Sequence, residues 1–352
     1  MNAPFALARE SVHAVDLHQP DEAARIEGFV AEHGGSVFHR PAWLLAVEEG
    51  ISQRARGLVA EKGGRLTGWL PLTEVHSPIF GRMLASSGFA VEGGVLAQND
   101  VTACLLGDAV QKLALRLSCP TVELRGGFAG EGWQVRQDSH CGFIAPLAED
   151  DEAQLTAIPR KQRAEVRKGL KHDFAVTTGA ASLERAAHYK VYAESVRNLG
   201  TPVFPQSLFD SVINRLDADI LTVWNEGTPI ASVLSLYHDG AVMPYWGGGT
   251  WDARRLRAND RMYYELMLHA RKRGCDRFDF GRSKTGSGAY HFKKNWGFDP
   301  QPLSYASWTA PGHEARDADP TSARHQSRIA LWKKLPLPLA NLVGPYIARG
   351  LG

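Results

Sequence analysis

Two stretches of the sequence, far apart in the chain, share one pattern of apolar alternation around a glycine turn. An offset of 164 residues aligns four pairs without a gap: Gly63 with Gly227, Leu66 with Ile230, Leu70 with Leu234, and Leu72 with Leu236. Apolar residues that alternate on either side of a glycine turn are typical of a β-hairpin. Such hairpins are common enough to arise twice independently, but self-similarity at this scale favours a duplicated domain.

The predicted elements around the two hairpins follow the same order. Each half contains a helix, the hairpin, a second helix and a strand, and that last strand covers 122–124 in the first half and 278–280 in the second. We therefore predict an α/β (α+β) chain with two tandem domains, each a mixed twisted sheet flanked by helices. The predicted domains are residues 1–150 and 151–310, and residues 311–352 form a linker and a Pro-rich tail.

Composition restricts the class of protein more than its activity. A chain of 352 residues is long enough for two cores, and its net charge of +2 does not by itself indicate a nucleic-acid partner. The four cysteines are scattered without metal-binding spacing, which predicts reduced thiols, no zinc site and a cytoplasmic protein. We find no signal-peptide pattern at the N-terminus and no apolar run of about 18 residues that would span a bilayer.

Residues 259–298 have the pattern of an active site built at the end of a sheet. Asn259 or Asp260 is a suitable N-cap for a helix that Gly274 would end, and Phe278 and Phe280 alternate with Asp279 as in a strand. We expect a mobile glycine-rich loop after this strand and then a second aromatic, basic strand over 290–298. Asp279 would point away from the two phenylalanines, so it could accept a proton from a substrate amine. A plain strand aspartate is the alternative.

A basic segment joins the two halves. Arg160, Arg163, Arg167 and Lys171 recur at spacings of three and four, so they share one face of a predicted helix. We interpret this face as a binding site for phosphate groups of a nucleotide, a tRNA or a lipid diphosphate. A solvated linker helix would show the same spacing.

The tail from 327 to 352 combines aromatic, apolar and basic residues with three prolines that prevent one long helix. Trp and Lys at such positions suit the headgroup level of a bilayer, so peripheral contact with the inner membrane face is one prediction. Packing on the protein's own body is the other.

The sequence lacks HExxH, paired CxxC, GxSxG and Walker A motifs, and its Gly247-Gly248-Gly249 run does not make GxGxxG. Instead, FDFG (278–281), YHFKKNWGF (290–298) and KQRAEVRKGLK (161–171) resemble the FemAB family of N-acyltransferases. The sequence is most similar to the FemAB-related proteins associated with the PEP-CTERM/exosortase system of bacteria that make exopolysaccharide. This resemblance implies two GNAT-type domains, in agreement with the duplication.

The resemblance also implies transfer of an acyl or aminoacyl group to a primary amine, with aminoacyl-tRNA or acyl-CoA as co-substrate and no bound cofactor. By motif match, Lys293 stands where the family places a lysine near the reacting ester, and a fixed cation there would stabilise the oxyanion. The alternative is a solvated strand lysine. Arg282 and Lys284 on the glycine-rich loop are candidates for binding a phosphate or carboxylate, and Tyr290 and Asn295 are further candidates for contacting substrate.

One departure concerns the donor. GNAT enzymes that use acyl-CoA show a [RQ]-x-x-G-x-[GA] turn, whereas residues 254–259 here read RRLRAN and lack the glycine. Three hypotheses remain: an acyltransferase or aminoacyltransferase acting on an envelope or exopolysaccharide precursor that is lipid- or nucleotide-linked, an acyl-CoA-dependent GNAT acetyltransferase, and a degenerate transferase that binds a membrane-linked glycan. The acyl group, the acceptor amine and the oligomeric state stay open.

Overall fold

The repeated pattern folds as two equivalent series of elements in a computed structural model, which describes residues 9–126, 130–314, 316 and 326–352. The elements of the first half are β1 (Ser11–Ala14), α1 (Pro20–Glu32), α2 (Pro41–Ile51), β2 (Arg54–Lys62), β3 (Arg65–Ser77), β4 (Gly81–Ser86), β5 (Leu96–Ala97), α3 (Asp100–Arg116), β6 (Thr121–Arg125) and β7 (Gln134–Arg136). A 3-10 helix, Val37–His39, precedes α2.

The rest of the chain contains more elements, some of which connect the repeated ones. They are β8 (His140–Gly142), β9 (Ile144–Pro146), α4 (Asp151–Ala157), α5 (Arg160–Leu170), β10 (Ala175–Gly179), α6 (Ser182–Leu199), α7 (Gln206–Arg215), β11 (Ala218–Asn225), β12 (Thr228–His238), β13 (Ala241–Gly249), α8 (Trp251–Arg255), α9 (Ala258–Lys272), β14 (Arg277–Asp279), β15 (Ser283–Lys284), α10 (Gly288–Asn295), β16 (Gln301–Pro302), β17 (Tyr305–Thr309), α11 (Gln326–Trp332) and α12 (Leu337–Ala348).

Both predicted hairpins are present, as β2–β3 and β11–β12, and each lies within a mixed sheet next to its first edge strand. The first sheet has the order β1-β2-β3-β4-β6-β17-β7, with β5 also paired to β3, and the second has the order β10-β11-β12-β13-β14-β9. In each sheet a single parallel pair, β4 with β6 or β13 with β14, follows three antiparallel pairs. The fold-class prediction is confirmed. The chain contains two mixed sheets flanked by helices, and antiparallel and parallel pairs follow one another in the same order in both sheets.

Each sheet receives one strand from the other half of the sequence. β17 pairs antiparallel with β6, and β9 pairs antiparallel with β14. The first compact unit accordingly comprises residues 1–136, 304–317 and 350–352, and the second comprises 137–303 and 318–349. These limits differ from the predicted 150 and 310 because two short strands join the sheet of the other half. Residues 315 and 317–325 of the predicted linker lie outside the described residues.

Each unit buries its own apolar core against its sheet. In the first unit α3 packs on strands β2, β3 and β6, and in the second unit α6 and α9 both pack on β12 and β13. Strand β12 is buried from Pro229 to Tyr237, as expected for a central strand with helices on both faces. None of the described helices combines the length and apolar character needed to cross a membrane.

Candidate functional site

A run of three glycines at the end of β13 brings two helices close to the sheet. A Cβ on Gly247 would lie 3.4 Å from the hydroxyl oxygen of Tyr263 on α9, whereas a Cβ on Gly248 would overlap Ser195 on α6. Because neighbouring strand residues point to opposite faces, α9 and α6 cover opposite faces of β13. The glycines therefore allow α6 and α9 to approach the backbone of β13 closely. This packing requirement accounts for the three glycines, so no nucleotide-binding role is needed to explain them.

Strand β13 diverges from β14 after a very short pairing. The parallel register covers only Ala241 with Arg277 and Val242 with Phe278, while β13 continues to Gly249 alongside β12. A bulge at Tyr245 of β13 bends the strand further. Within the described residues no strand pairs with the β14 side of β13 beyond Val242, so the sheet is open there.

The corresponding position in the first unit is closed. The pairing of β4 with β6 covers three registers, and the N–H of Arg125 then donates to the Ser86 hydroxyl at 2.7 Å. The buried Arg125 guanidinium donates to the carbonyl of Ala90 at 2.9 Å, and a Cβ on Gly94 would lie 2.6 Å from the carbonyl carbon of Gly126. The chain after β4 thus stays against the end of β6, and among the described residues only those of the second unit form the opening.

The segment predicted as a second strand is a helix, α10, and this corrects the expected helix–strand–loop–strand order. The Ser287 hydroxyl accepts a hydrogen bond from the Tyr290 N–H and caps the helix, and Gly297 follows its end with φ of 91°. Tyr290 and Phe292 alternate as in a strand, but Phe292 and Trp296 are one helical turn apart and pack together. The loop before α10 also contains the short strand β15.

Lys293 lies on the buried side of α10 and is 8% exposed. Its ammonium group donates to the carbonyls of Gly281 at 3.1 Å and Arg282 at 2.9 Å, and it lies 5.4 Å from the centre of the Phe143 ring. The alternative of a solvated strand lysine is therefore wrong. Two of its three N–H donors hold the turn that follows β14, and one remains for a ligand.

Burial shifts the protonation of both candidate catalytic groups. Desolvation lowers the pKa of Lys293 to about 8, against an opposing effect of the Asp279 charge. Desolvation raises the pKa of Asp279, although a hydrogen bond from the Gly281 N–H at 2.8 Å and the Lys293 charge oppose that rise. The site thus holds an ammonium group that loses its proton more easily and a carboxylate that binds a proton more tightly, and the two charges attract each other.

Tyr263 is a candidate that the sequence analysis missed. Its ring packs at 4.8 Å from that of Phe280 and its hydroxyl approaches Gly247, beside the opening of the sheet. Burial raises its pKa to about 12, so it stays protonated at neutral pH. Its hydroxyl makes no hydrogen bond to the described residues. The glycine run was the only sequence signal for this approach, since nothing local distinguishes Tyr263 from its helical neighbours.

The other predicted substrate-binding residues of this segment are dispersed. Arg282 follows Gly281 in the turn held by Lys293, and Lys284 lies in β15, paired with His140 of β8. Tyr290 packs edge-on against Phe143 at 5.5 Å, and Asn295 is exposed at the last position of α10. The structure therefore groups Asp279, Arg282 and Lys293, whereas Lys284 pairs with β8 and Asn295 is exposed at the end of α10.

The basic segment is helical, as predicted, and packs beside the first turn of α9. Gln162 donates to the Asp260 carboxylate at 2.6 Å, and a Cβ on Gly169 would lie 2.7 Å from the Arg257 carbonyl oxygen. The predicted cations lie beside this packed face: Arg160, Arg163, Arg167 and Lys171. Arg163 donates to the Thr156 carbonyl, whereas the other three are exposed and form no side-chain hydrogen bond or ion pair within the described residues.

Helix α9 begins at Ala258, and its N-cap is Arg257 rather than the predicted Asn259 or Asp260. Arg257 has φ of 60° and no side chain caps the helix, so the first N–H groups of α9 are not used by a cap. Arg257 occupies the position of the missing motif glycine and adopts the left-handed conformation that favours glycine. Its side chain forms an ion pair with Glu165 of α5, with 2.6 Å between Nε of Arg257 and Oε2 of Glu165.

A cavity of about 350 Å³ lies at the α6 side of the sheet. Its wall combines α6, the start of β12 and the residues that follow β13, with Glu194 and Asp252 as acidic groups and Trp251 as an exposed aromatic one. This volume is within the range that binds small molecules. In the described part of the chain, no cluster of three His, Cys, Asp or Glu residues could hold a metal ion.

Comparisons with known proteins agree with this geometry. Residues 158–294 match the family model described as "Acetyltransferase (GNAT) domain", which covers the opening, α9 and most of α10. No curated protein matches the sequence significantly.

Among solved structures, FemX is similar with a TM-score of 0.64 and 14% identity over 84% of this chain and 96% of that one. A tandem GNAT protein from the clavulanic acid biosynthesis pathway has a TM-score of 0.58 and 10% identity over 87% of this chain and all of that one. L-PGS from Bacillus licheniformis has a TM-score of 0.54 and 14% identity over 95% and 97% of the two chains. At these identities the likeness shows the fold: this chain has a twin-GNAT fold.

Proposed function

We propose that this protein is an N-acyltransferase whose second unit holds an activated acyl donor and transfers the acyl group to a primary amine. The observation that carries the proposal is the divergence of β13 from β14 beside the buried Lys293. An opened parallel pair offers backbone N–H and C=O groups to an extended amide-containing chain, as a sheet edge does to a peptide. The GNAT match over 158–294 supports the same assignment.

The donor that fits best is acyl-CoA. The extended arm of CoA suits the open edge of β13, and its phosphates suit the first turn of α9 beside the exposed Arg160, Arg167 and Lys171. The left-handed backbone of Arg257 supports this choice. Arg257 stands where the acyl-CoA-binding turn of GNAT enzymes has a glycine, and its backbone adopts the left-handed conformation that a glycine favours. Aminoacyl-tRNA, the donor implied by the FemAB resemblance, also carries phosphates and remains the alternative.

In the proposed reaction the amine nitrogen attacks the acyl carbonyl carbon, a C–N bond forms, and the thioester C–S bond breaks. Asp279 accepts a proton of the attacking amine, directly or through water, and its raised pKa makes it a better base. The remaining N–H of Lys293 stabilises the oxyanion, and the Tyr263 hydroxyl protonates the departing thiolate. The products are an amide and free CoA, and the proton held by Asp279 returns through solvent to the Tyr263 oxygen, so atoms, charges and protons balance.

The amine would approach from the α6 side, opposite to the donor. The cavity of about 350 Å³ supports this direction, and Glu194 would hold a polar group of the acceptor. We propose an amino-sugar precursor of a cell-envelope polysaccharide or exopolysaccharide as the acceptor, following the resemblance to proteins of exopolysaccharide-making bacteria. A Glu194→Gln variant should weaken acceptor binding and leave donor binding unchanged.

Donor identity can be tested by calorimetric titration of the protein with an acyl-CoA series, a charged-tRNA pool and UDP-linked amino sugars. We expect saturable binding of acyl-CoA, and a loss of roughly 100-fold or more in Arg160→Glu/Arg167→Glu, because both side chains are exposed beside the first turn of α9 and charge-assisted hydrogen bonds to phosphate contribute about 1.5–3 kcal/mol each. Lys62→Glu/Arg65→Glu, at the exposed turn of the first hairpin, changes net charge equally and should bind normally.

Three other results would change the assignment. Binding of charged tRNA alone, lost in the α5 variant, would replace acyl-CoA by aminoacyl-tRNA. Equal binding by both variants would show that the α5 cations do not contact the donor. Binding of no donor by the folded protein would contradict the enzymatic proposal and favour a degenerate transferase fold that binds a glycan.

A further inference from the structure

Helix α12 of the tail packs on the second unit through its smallest residues. Ala340, Gly344 and Ala348 recur every four positions and are buried, and α12 contacts α6. A Cβ on Gly344 would lie 3.0 Å from the Val203 backbone nitrogen, so the helix approaches the chain after α6 very closely. The prediction that the tail packs on the protein's own body is therefore correct for this face.

The opposite face of α12 exposes large apolar side chains. Leu339, Leu342, Val343 and Tyr346 are spaced three and four apart, and the exposed fractions of Leu342 and Tyr346 are 66% and 65%. The helix contains no charged residue from 337 to 348. Packing thus uses the small residues and leaves the large apolar ones outside, the reverse of an ordinary surface helix. An apolar face of this kind marks a site of interaction.

The charged residues of the tail itself have one sign. From 326 to 352 the sequence contains four basic residues and no acidic one. Lys333 and Lys334 are exposed between α11 and α12, and Leu331, on α11, is 67% exposed. A Cβ on Gly200 would lie 2.5 Å from Ile329, so α11 is also packed on the end of α6.

We propose that α11 and α12 form a docking surface for a bilayer that contains anionic phospholipid, with α12 lying in the interface plane. Charge complementarity selects this partner, because apolar side chains flanked only by cations suit acyl chains below anionic headgroups. Neither helix is long and apolar enough to span the bilayer. The surface lies outside the acyl-transfer site, so it does not depend on the proposed reaction.

The test is co-sedimentation of the full-length protein with vesicles made of equal parts phosphatidylglycerol and phosphatidylcholine, compared with phosphatidylcholine alone. We expect binding to the anionic vesicles and its loss in Leu342→Asp/Tyr346→Asp. Val101→Asp/Leu115→Asp is the matched double control, because both side chains are exposed on α3 of the first unit. All four side chains are exposed, so melting temperatures should match that of the wild type.

The contribution of charge can be measured separately. Lys333→Gln/Lys334→Gln should weaken binding about 30-fold, since each lysine near an anionic surface contributes about 1 kcal/mol. Lys62→Gln/Arg65→Gln loses the same charge elsewhere and should bind normally. Failure of the wild type to bind anionic vesicles would overturn the proposal, as would equal binding by the tail variants and the controls. A dimer that Leu342→Asp converts to monomer, without vesicle binding, would instead assign the face to a second copy of the chain.

Discussion

Replacing Lys293 by Met should reduce acyl transfer sharply while changing stability little. Burial lowers the pKa of Lys293 from 10.5 to about 8, which corresponds to about 3 kcal/mol against the charged form. Removing the ammonium group relieves this cost, but it also leaves the carbonyls of Gly281 and Arg282 without their donor, at about 1–3 kcal/mol each. These effects oppose each other, and Met fills a similar volume, so we expect a loss of stability centred near about 1 kcal/mol and no larger than about 3 kcal/mol.

The same substitution removes the cation beside the reacting carbonyl, and losing such a donor costs about 100-fold or more in rate. Release of CoA thiol from acyl-CoA in the presence of amino sugars measures the rate, and denaturant unfolding measures stability. Lys294→Met is the matched control, because Lys294 is the exposed neighbour on α10. Full activity in Lys293→Met would refute the catalytic assignment. A loss of several kcal/mol in stability would show that the lysine is chiefly structural.

Further predictions concern pH, the donor site and the first core. Wild-type transfer should decline as pH rises through about 8, where Lys293 loses its proton, and a pH–rate profile of kcat/KM measures this decline. Burial lowers the pKa of His188 to about 3, so below about pH 6.5 the folded state binds fewer protons than the unfolded state. As the pH falls from about 6.5 towards 3, the free energy of unfolding should therefore fall by up to about 1.4 kcal/mol per pH unit. The His188→Asn substitution should remove this slope in denaturant titrations. Tyr263→Phe should slow transfer from poor leaving groups more than from good ones, and unchanged leaving-group dependence would exclude it as the acid. Gly94→Ala should destabilise the first unit by about 3 kcal/mol, measured by thermal unfolding, because its Cβ would meet the backbone of Gly126.

The architecture could be predicted from the sequence because the strand register of each hairpin is set by nearby residues, namely a glycine turn and the alternating apolar residues beside it. Gly63 and Gly227 have positive φ at the two turns, and the alternating residues after them are buried in β3 and β12. The strand exchange could not be predicted in this way. Ile144–Pro146 and Tyr305–Thr309 are three- and five-residue strands, and nothing in so short a segment specifies which sheet it joins.

The candidate site was predicted in part. The motif around Lys293 indicated a functional lysine, but the alternating aromatics were misinterpreted as a strand, although Ser287 and Gly297 are suitable helix caps. The N-cap of α9 was misplaced because Arg257 adopts a left-handed conformation that its side chain does not favour. Tyr263 escaped notice because its position depends on packing between α9 and β13, which is a tertiary property.

The most direct test of the central claim is transfer of an isotope-labelled acyl group. The purified protein is incubated with labelled acyl-CoA and a panel of UDP-linked and lipid-linked amino sugars, and the products are analysed by mass spectrometry. We predict one acceptor that gains the label on its amine nitrogen, with release of one CoA per product and loss of the product in Lys293→Met. Absence of labelled product from acyl-CoA and from charged tRNA alike, with protein that is folded and binds the acceptor, would contradict it.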